Sequence, residues 1–343
     1  MKGLYLHGKN DLRYETIPDP KIENENDLIV KVQSCAICGS DLHYLHGHIP
    51  ESGFCIGHEA VGEIVEIGKG VSRRKVGDKV MMSATVGCGT CRFCLAGQIN
   101  LCEVGFQSYG GRGLQGCQAE AIRVPMGDFN SAIIPDGIST DQALMLTDAQ
   151  ATAYYACVNA EIAPGKTVVI LGLGPIGLMA VEVAFVQGAS RVFAIDLVPE
   201  RRQLAEELGA TALTPDEAQS IISDATKGRM AECVLELVGH DVTVKAAFDL
   251  VSFGGNISVI GANFNPSFPF PMGQAFFKSI TFRIGACPMQ CFWPILVPLI
   301  QQGRLHPERF ITHRMPLSEG IKAYEIFDKK LDGVLKAVLT PGA

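Results

Sequence analysis

Four cysteines, Cys88, Cys91, Cys94 and Cys102, fall in the run GCGTCRFCLAGQINLC with two gaps of two residues and one of seven. That spacing brings four thiolates within reach of one tetrahedral ion. A site filled by sulfur on every side has no place for a substrate, so it points to a structural zinc that fixes a loop. An iron–sulfur cluster is the competing use of four cysteines, and unrelated thiols or disulfides the other. Cys38 in CAICGSDLH and His58 in CIGHEAVG stand where loops meet β-like runs and are further candidate ligands. Each alone is more often a core residue than a ligand.

A second kind of chemistry is written in VVILGLGPIG, where Gly172, Gly174 and Gly177, with Pro175 and Ile176 between them, follow an apolar run and open an amphipathic one. Gly172 permits a tight turn, Gly174 lets backbone approach a pyrophosphate, and Gly177 lets the helix pack while its first amides face the anion. A glycine-rich turn without a ligand is the alternative. Asp196 ends the next strand, at the usual distance for a carboxylate on the adenosine ribose, where it favours NAD over NADP; it can also cap the helix opened by Pro199. Arg201 and Arg202 follow within a turn and are able to reach a phosphate, although they are expected to turn to solvent or pair with Glu206.

The elements that must position these residues change character along the chain. From Leu28 to Val124, short runs such as LIVKV, AVGEIVEIG and AEAIRV alternate with glycine turns, the pattern of a β-rich domain. From Thr167, TVVILG, PIGLMAVEVAFVQG and RVFAID read strand, helix, strand. CVLELVG, a helix near Val242 to Leu250, NISVIG and SITFRIGA complete a doubly wound parallel sheet. A helix-like run near Ile295 to Gln302, an amphipathic stretch from Glu319 to Phe327 and the strand VLKAVL return to the first domain. The chain of 343 residues carries a formal charge of -7 without a basic stripe, which argues against nucleic acid, and no apolar run reaches membrane length. Seven of the 12 cysteines lie between Cys35 and Cys102, which with the missing leader suggests a reducing, cytoplasmic setting.

Taken together, CGSDLH, GHE, the four-cysteine run and GLGPIG resemble, in order and spacing, the zinc-containing medium-chain alcohol dehydrogenases over essentially the whole chain. The resemblance implies an α/β fold: a β-rich GroES-like catalytic domain over residues 1–150 with its zinc lobe at 88–102, a Rossmann-type NAD(P)-binding domain over 151–285, and a return over 286–343. It implies two zinc ions, one structural and one catalytic. By it Cys38 and His58 are catalytic-zinc ligands, Glu59 is a carboxylate that approaches the metal, and Asp148 in LMLTDAQATAYYA is the third ligand, as in a bacterial branch often labelled formaldehyde-dehydrogenase-like. Asp148 read without the family is a helix cap, and Glu59 a surface charge. Ser40 and His43 take the positions of a hydroxyl and an imidazole that carry away the alcohol proton, and Asp41 that of a carboxylate orienting His58. Lys336 corresponds to a basic position that contacts the coenzyme pyrophosphate, or is an ordinary surface lysine, and Ile260 completes the coenzyme set.

The implied reaction is reversible hydride transfer from a zinc-bound alkoxide to NAD, on an alcohol, diol or polyol, by a homodimer or homotetramer whose contact lies along NISVIG and SITFRIG. His46 and His48 read as surface residues. Cys35, Cys55, Cys117, Cys157, Cys233, Cys287 and Cys291 read as small apolar ones. Phe106, Tyr109, Phe292 and Trp293 are pocket or core. Two rival functions remain: a zinc-free quinone or enone reductase of the same superfamily, and a non-enzymatic zinc- and nucleotide-binding protein.

Overall fold

The computed structural model describes residues 1–342. Its chain forms two compact units, one of Met1–Ala151 together with the stretch from Cys287 onward, the other of Thr152–Ala286.

In the first unit the apolar run LIVKVQSCA becomes the strand Leu28–Ala36, whose nine residues are mostly buried on both faces. It is the centre of a seven-stranded sheet in the order Ser131–Ile133, Lys79–Met82, Glu59–Ile67, Leu28–Ala36, Lys336–Thr340, Ile311–Pro316, with Ala121–Val124 also paired to the central strand. Strand register decides which residues meet. Ala36 stands opposite Glu59 on one side and Val338 on the other, and the next residue, Ile37, donates its backbone N–H to the Ala337 carbonyl at 3.0 Å. One end of the sheet therefore gathers Cys38, His58, Glu59 and Lys336 although they are far apart in sequence.

The sequence pattern does not foretell the hairpin Lys2–Gly8 with Asp11–Thr16, to which Phe54–Cys55 adds a third strand. Leu4 and Leu6 of that hairpin are fully buried in the core of this unit beside Ile56, Ile64 and Tyr324. Full burial of such side chains is worth roughly 1.5–3 kcal/mol each, enough to hold a hairpin that is marginal alone. The amphipathic stretch near the C-terminus is the helix Gly320–Asp328, its buried face formed by Gly320, Ala323 and Tyr324.

The second unit is a six-stranded parallel sheet in the order Thr211–Leu213, Arg191–Ile195, Thr167–Leu171, Ala231–Glu236, Val251–Val259, Thr281–Ile284. Reversal of strand order at Thr167–Leu171 is the doubly wound topology. Val168, Val169 and Ile170 of that strand are wholly buried, as a parallel strand covered on both faces requires. Three elements escape the sequence pattern: the three-residue strand Thr211–Leu213, the helix Pro215–Thr226 and the helix Met272–Lys278. Among the described residues, no helix is long and apolar enough to cross a membrane.

Candidate active site

The thiol of Cys38, the imidazole of His58 and the carboxylates of Glu59 and Asp148 offer ligand atoms that all lie within 4.8 Å of one another. Cys38 follows the central strand, His58 and Glu59 sit at the start of the neighbouring one, and Asp148 precedes the helix Ala149–Asn159. Asp148 Oδ2 is 3.2 Å from His58 Nε2 and 3.6 Å from Cys38 Sγ. All four residues are buried, Glu59 completely. Glu59 Oε1 accepts a hydrogen bond from Lys336 Nζ at 2.5 Å, while Glu59 Oε2 is buried without a partner.

The electrostatics are those of a site built around a cation. Burial and the Asp148 carboxylate push the Cys38 thiol up. Burial likewise pushes Glu59 up, against the pull of Lys336. Burial opposes charge on His58, but Asp41, Cys38 and Asp148 outweigh it and hold the imidazole well above its usual value. Groups that resist ionising together become mutually compatible once a divalent ion stands among them. The donor set and the orphaned Glu59 oxygen fit a zinc ion with a position left for substrate.

Ser40 Oγ lies beside this cluster, 3.2 Å from Cys38 Sγ and 3.4 Å from His58 Nε2. It precedes the short helix Asp41–Leu45, which carries His43 in its last turn. His43 Nδ1 is 3.2 Å from His48 Nδ1. His46 is more constrained than a surface residue: its Nδ1 lies 3.1 Å from Asn10 Oδ1 and its Nε2 3.0 Å from Asp328 Oδ1. Asp41 stands behind His58, with Oδ1 3.1 Å from Nδ1 in an ion-pair contact rather than an aligned hydrogen bond. Asp41 Oδ2 accepts from the Cys38 backbone N–H at 3.0 Å and from Gln118 Nε2 at 3.3 Å, and Gln118 Oε1 accepts from the Tyr324 hydroxyl at 2.9 Å. No motif in the sequence marks Gln118 or Tyr324.

Lys336, 2% exposed, is not an ordinary surface lysine. Burial opposes its charge, yet Glu59, Cys38 and Asp148 keep it protonated. Tyr109 is in the core of this unit, Trp293 donates its indole N–H to the Leu146 carbonyl at 2.9 Å, and Phe106 lies under the Arg112 guanidinium. Cys88, Cys91, Cys94 and Cys102 also have their sulfurs within 4.8 Å of one another. Three backbone N–H groups point at them: Cys88 N at Cys102, Cys91 N at Cys88 and Cys94 N at Cys91, at 3.3 to 3.5 Å. Such donors favour thiolates and fit a metal closed on all sides.

In the second unit Gly172 adopts φ +93, and a Cβ there would strike Val238 at 2.5 Å. A Cβ on Gly177 would lie 1.9 Å from the Gly172 carbonyl oxygen, so only glycine lets the helix Pro175–Val186 approach the turn. Gly174 caps that helix with no side chain and with nothing near its would-be Cβ, leaving the helix start open to an anion. Pro175 and Ile176 are the first residues of the helix. Ile260, just past the strand Val251–Val259, donates its N–H to Glu236 O at 2.9 Å. Arg202 does not turn to solvent as expected, since its Nη1 donates to the Asp196 and Leu197 carbonyls at 2.8 and 2.9 Å.

Comparison with known proteins gives the same outline. Residues 24–134 match the alcohol dehydrogenase GroES-like domain and residues 175–302 the zinc-binding dehydrogenase family. A probable zinc-binding alcohol dehydrogenase of Mycobacterium tuberculosis is 40% identical over 342 residues, 99% of this chain and 89% of the relative. The structure of the alcohol dehydrogenase TADH from Thermus sp. ATN1 superposes with a TM-score of 0.93 at 37% identity, covering 99% of this chain and 100% of that one. An alcohol dehydrogenase from E. coli CFT073, solved with NADH, has a TM-score of 0.87 at 27% identity, with 99% of each chain covered. A zinc-free reductase would have no use for the buried four-ligand cluster, and a non-enzymatic binder none for the serine beside it. The chain belongs to the zinc-containing alcohol dehydrogenase family and is an oxidoreductase acting on alcohols.

Proposed function

We propose that the protein oxidises a small alcohol, diol or polyol reversibly with NAD, using one catalytic and one structural zinc. The observation that carries this is the convergence of Cys38, His58, Glu59 and Asp148 within 4.8 Å, with Ser40 Oγ 3.2 Å from Cys38 Sγ. Cys38, His58 and Asp148 hold the catalytic ion, two of them anionic and so balancing its charge. Glu59, with one oxygen on Lys336 and one unpartnered, is the fourth group of the cluster, a carboxylate able to approach the metal. When bound, zinc lowers the pKa of the substrate hydroxyl and nicotinamide takes the carbon-bound hydride. Ser40 receives the hydroxyl proton and His43, half-buried at the end of its short helix, passes it toward water. Asp41 holds His58 from behind. Cys88, Cys91, Cys94 and Cys102 hold the second ion.

Gly172, Gly174, Pro175, Ile176 and Gly177 receive the pyrophosphate at the open helix start, with Asp196 on the ribose and Arg201 and Ile260 alongside. Thr281–Ile284 is the outermost strand of the second unit's sheet, and Phe276, Phe277 and Ile284 near it are 77%, 77% and 64% exposed. An apolar edge of that kind supports self-association as a dimer or tetramer. The thiol-rich zinc lobe suits a cytoplasmic setting. A panel of primary, secondary and vicinal alcohols assayed with NAD and NADP, alongside metal analysis and sedimentation, tests the proposal. Alcohol-dependent formation of NADH is expected, and its absence with every alcohol in the panel would refute the function.

A further inference from the structure

Behind the candidate metal centre lies a line of polar side chains with no access to water. Asp41, Gln118 and Tyr324 are 1%, 0% and 2% exposed. They come from three places in the chain: the turn after Cys38, the segment that runs beside Ile56, and the helix Gly320–Asp328. Gln118 is fixed at both ends of its peptide, its carbonyl accepting from Leu4 N at 2.9 Å and its N–H donating to Ile56 O at 3.0 Å.

Its amide has one possible orientation. Nε2 faces two acceptors, the Ala36 carbonyl at 3.2 Å and Asp41 Oδ2 at 3.3 Å, whereas Oε1 faces the Tyr324 hydroxyl at 2.9 Å. Flipping the amide would set oxygen against two oxygens. The neighbouring glycine is shaped to this side chain: a Cβ on Gly57, next to His58, would come within 2.4 to 2.7 Å of Gln118 atoms, and Gly57 has φ +95. A buried polar network of this kind is costly unless every member is satisfied, and here it ends on a carboxylate that touches two candidate ligands at once. Asp41 meets the ring of His58 with one oxygen and the backbone of Cys38 with the other.

We infer that Gln118 and Tyr324 are positioning residues for the catalytic zinc, holding Asp41 so that it sets the His58 ring and the Cys38 backbone in a single geometry. This rests on Cys38, His58 and Asp148 being zinc ligands. Loss of a group that supports a ligand typically costs 10–100-fold in metal affinity or activity. The Tyr324 hydroxyl acts one link further out and is expected to matter less.

The test uses the metal-loaded enzyme and its cobalt-exchanged form. Tyr324→Phe removes one hydroxyl at nearly constant volume, Gln118→Leu removes all three amide contacts, and Gln118→Glu keeps the acceptor toward Tyr324 but presents oxygen to Asp41. Zinc release to a chelator, the visible cobalt spectrum, kcat and KM are read for each. The expected result is faster release from one site only, a few-fold in Tyr324→Phe and on the order of 10–100-fold in Gln118→Leu, with release from the four-cysteine lobe unchanged. The cobalt band shifts, and kcat falls with KM little altered. Gln118→Glu behaves as badly as Gln118→Leu or worse. Should Gln118→Leu fail to fold, Tyr324→Phe alone decides, by release rate and spectrum. Wild-type release and spectrum with only a lower melting temperature would overturn the inference, reducing the network to packing. A wild type that takes up a single metal ion, in the cysteine lobe, would overturn the ligand assignment and this inference with it.

Discussion

Lys336 Nζ and Glu59 Oε1, separated by 277 residues in the chain, lie 2.5 Å apart with almost no exposure to solvent. The strands that carry them flank the same central strand, so the pairing is a product of sheet order. Each charge would be expensive to bury alone. Lys336→Met should therefore lower the unfolding free energy by about 3–5 kcal/mol, the usual cost of stranding one member of a buried pair. The double variant Lys336→Met with Glu59→Gln should lose less than the sum of the single changes. Denaturant titrations of the four proteins measure the coupling, and strict additivity would mean the contact carries no energy.

Asp148 and Ser40 divide the site's work between holding a charge and moving one. Asp148→Asn removes an anionic ligand while leaving the glycine turn alone. Its zinc affinity should drop by more than the roughly 10–100-fold that follows loss of a residue merely supporting a ligand, with coenzyme binding unchanged. Ser40→Ala leaves every candidate ligand in place and interrupts only proton removal. It should retain its metals and lose about 10²–10⁴-fold in turnover. Metal analysis, coenzyme titration and steady-state kinetics on the two variants separate these effects; full turnover in either removes that residue from its role.

The four-cysteine lobe makes a prediction about protons. The Thr90 hydroxyl, with neighbouring backbone amides, lowers Cys88 to about 6, whereas burial pushes Cys94 up to about 12. Near neutral pH the metal-free lobe thus has Cys88 largely ionised and Cys94 protonated. Zinc binds thiolates, so uptake must displace the Cys94 proton. As pH falls through about 6, Cys88 also gains a proton that zinc must expel, and the lobe's apparent affinity should fall more steeply below that point. Calorimetry in buffers of different ionisation enthalpy counts the protons. The fully loaded chain should hold two zinc ions, and an iron–sulfur absorbance band would show that the lobe holds a cluster instead.

Much of this is legible in the sequence because some physics is local. The gaps in Cys88, Cys91, Cys94 and Cys102 fix the reach of one ion, and Gly172 to Gly177 describe a strand–turn–helix within a few residues. The doubly wound sheet follows from alternating apolar runs. The features hidden from the sequence depend on pairing at long range. Lys336 reads as a coenzyme contact or a surface lysine because nothing in VLKAVL says that its strand pairs with Leu28–Ala36, next to the strand of Glu59. Gln118 carries no periodic or motif signal; it becomes meaningful only when Ala36, Asp41 and Tyr324 surround it. The strand Thr211–Leu213 is too short to show a period at all.

Coenzyme choice turns on Asp196, whose two oxygens are both already engaged. Oδ2 accepts from Leu173 N at 2.7 Å, within the glycine turn, and Oδ1 accepts from Val198 N at 2.8 Å at the start of the next helix. Those bonds orient the carboxylate and leave each oxygen a lone pair for a ribose hydroxyl. NADP would place a phosphate against this fixed negative charge and forfeit a hydroxyl bond. Arg202 is a positive group close by, but its Nη1 is spent on the carbonyls of Asp196 and Leu197, which leaves only its other N–H groups for a phosphate. NAD should therefore be turned over with the higher kcat/KM. Asp196→Ala should erode that preference by at least tenfold, the effect of about 1.4 kcal/mol at the transition state, while Arg201→Ala should barely alter it. The check is the ratio of kcat/KM for NAD and NADP in the wild type and both variants. A wild type that favours NADP would show that the arginines, not Asp196, select the coenzyme.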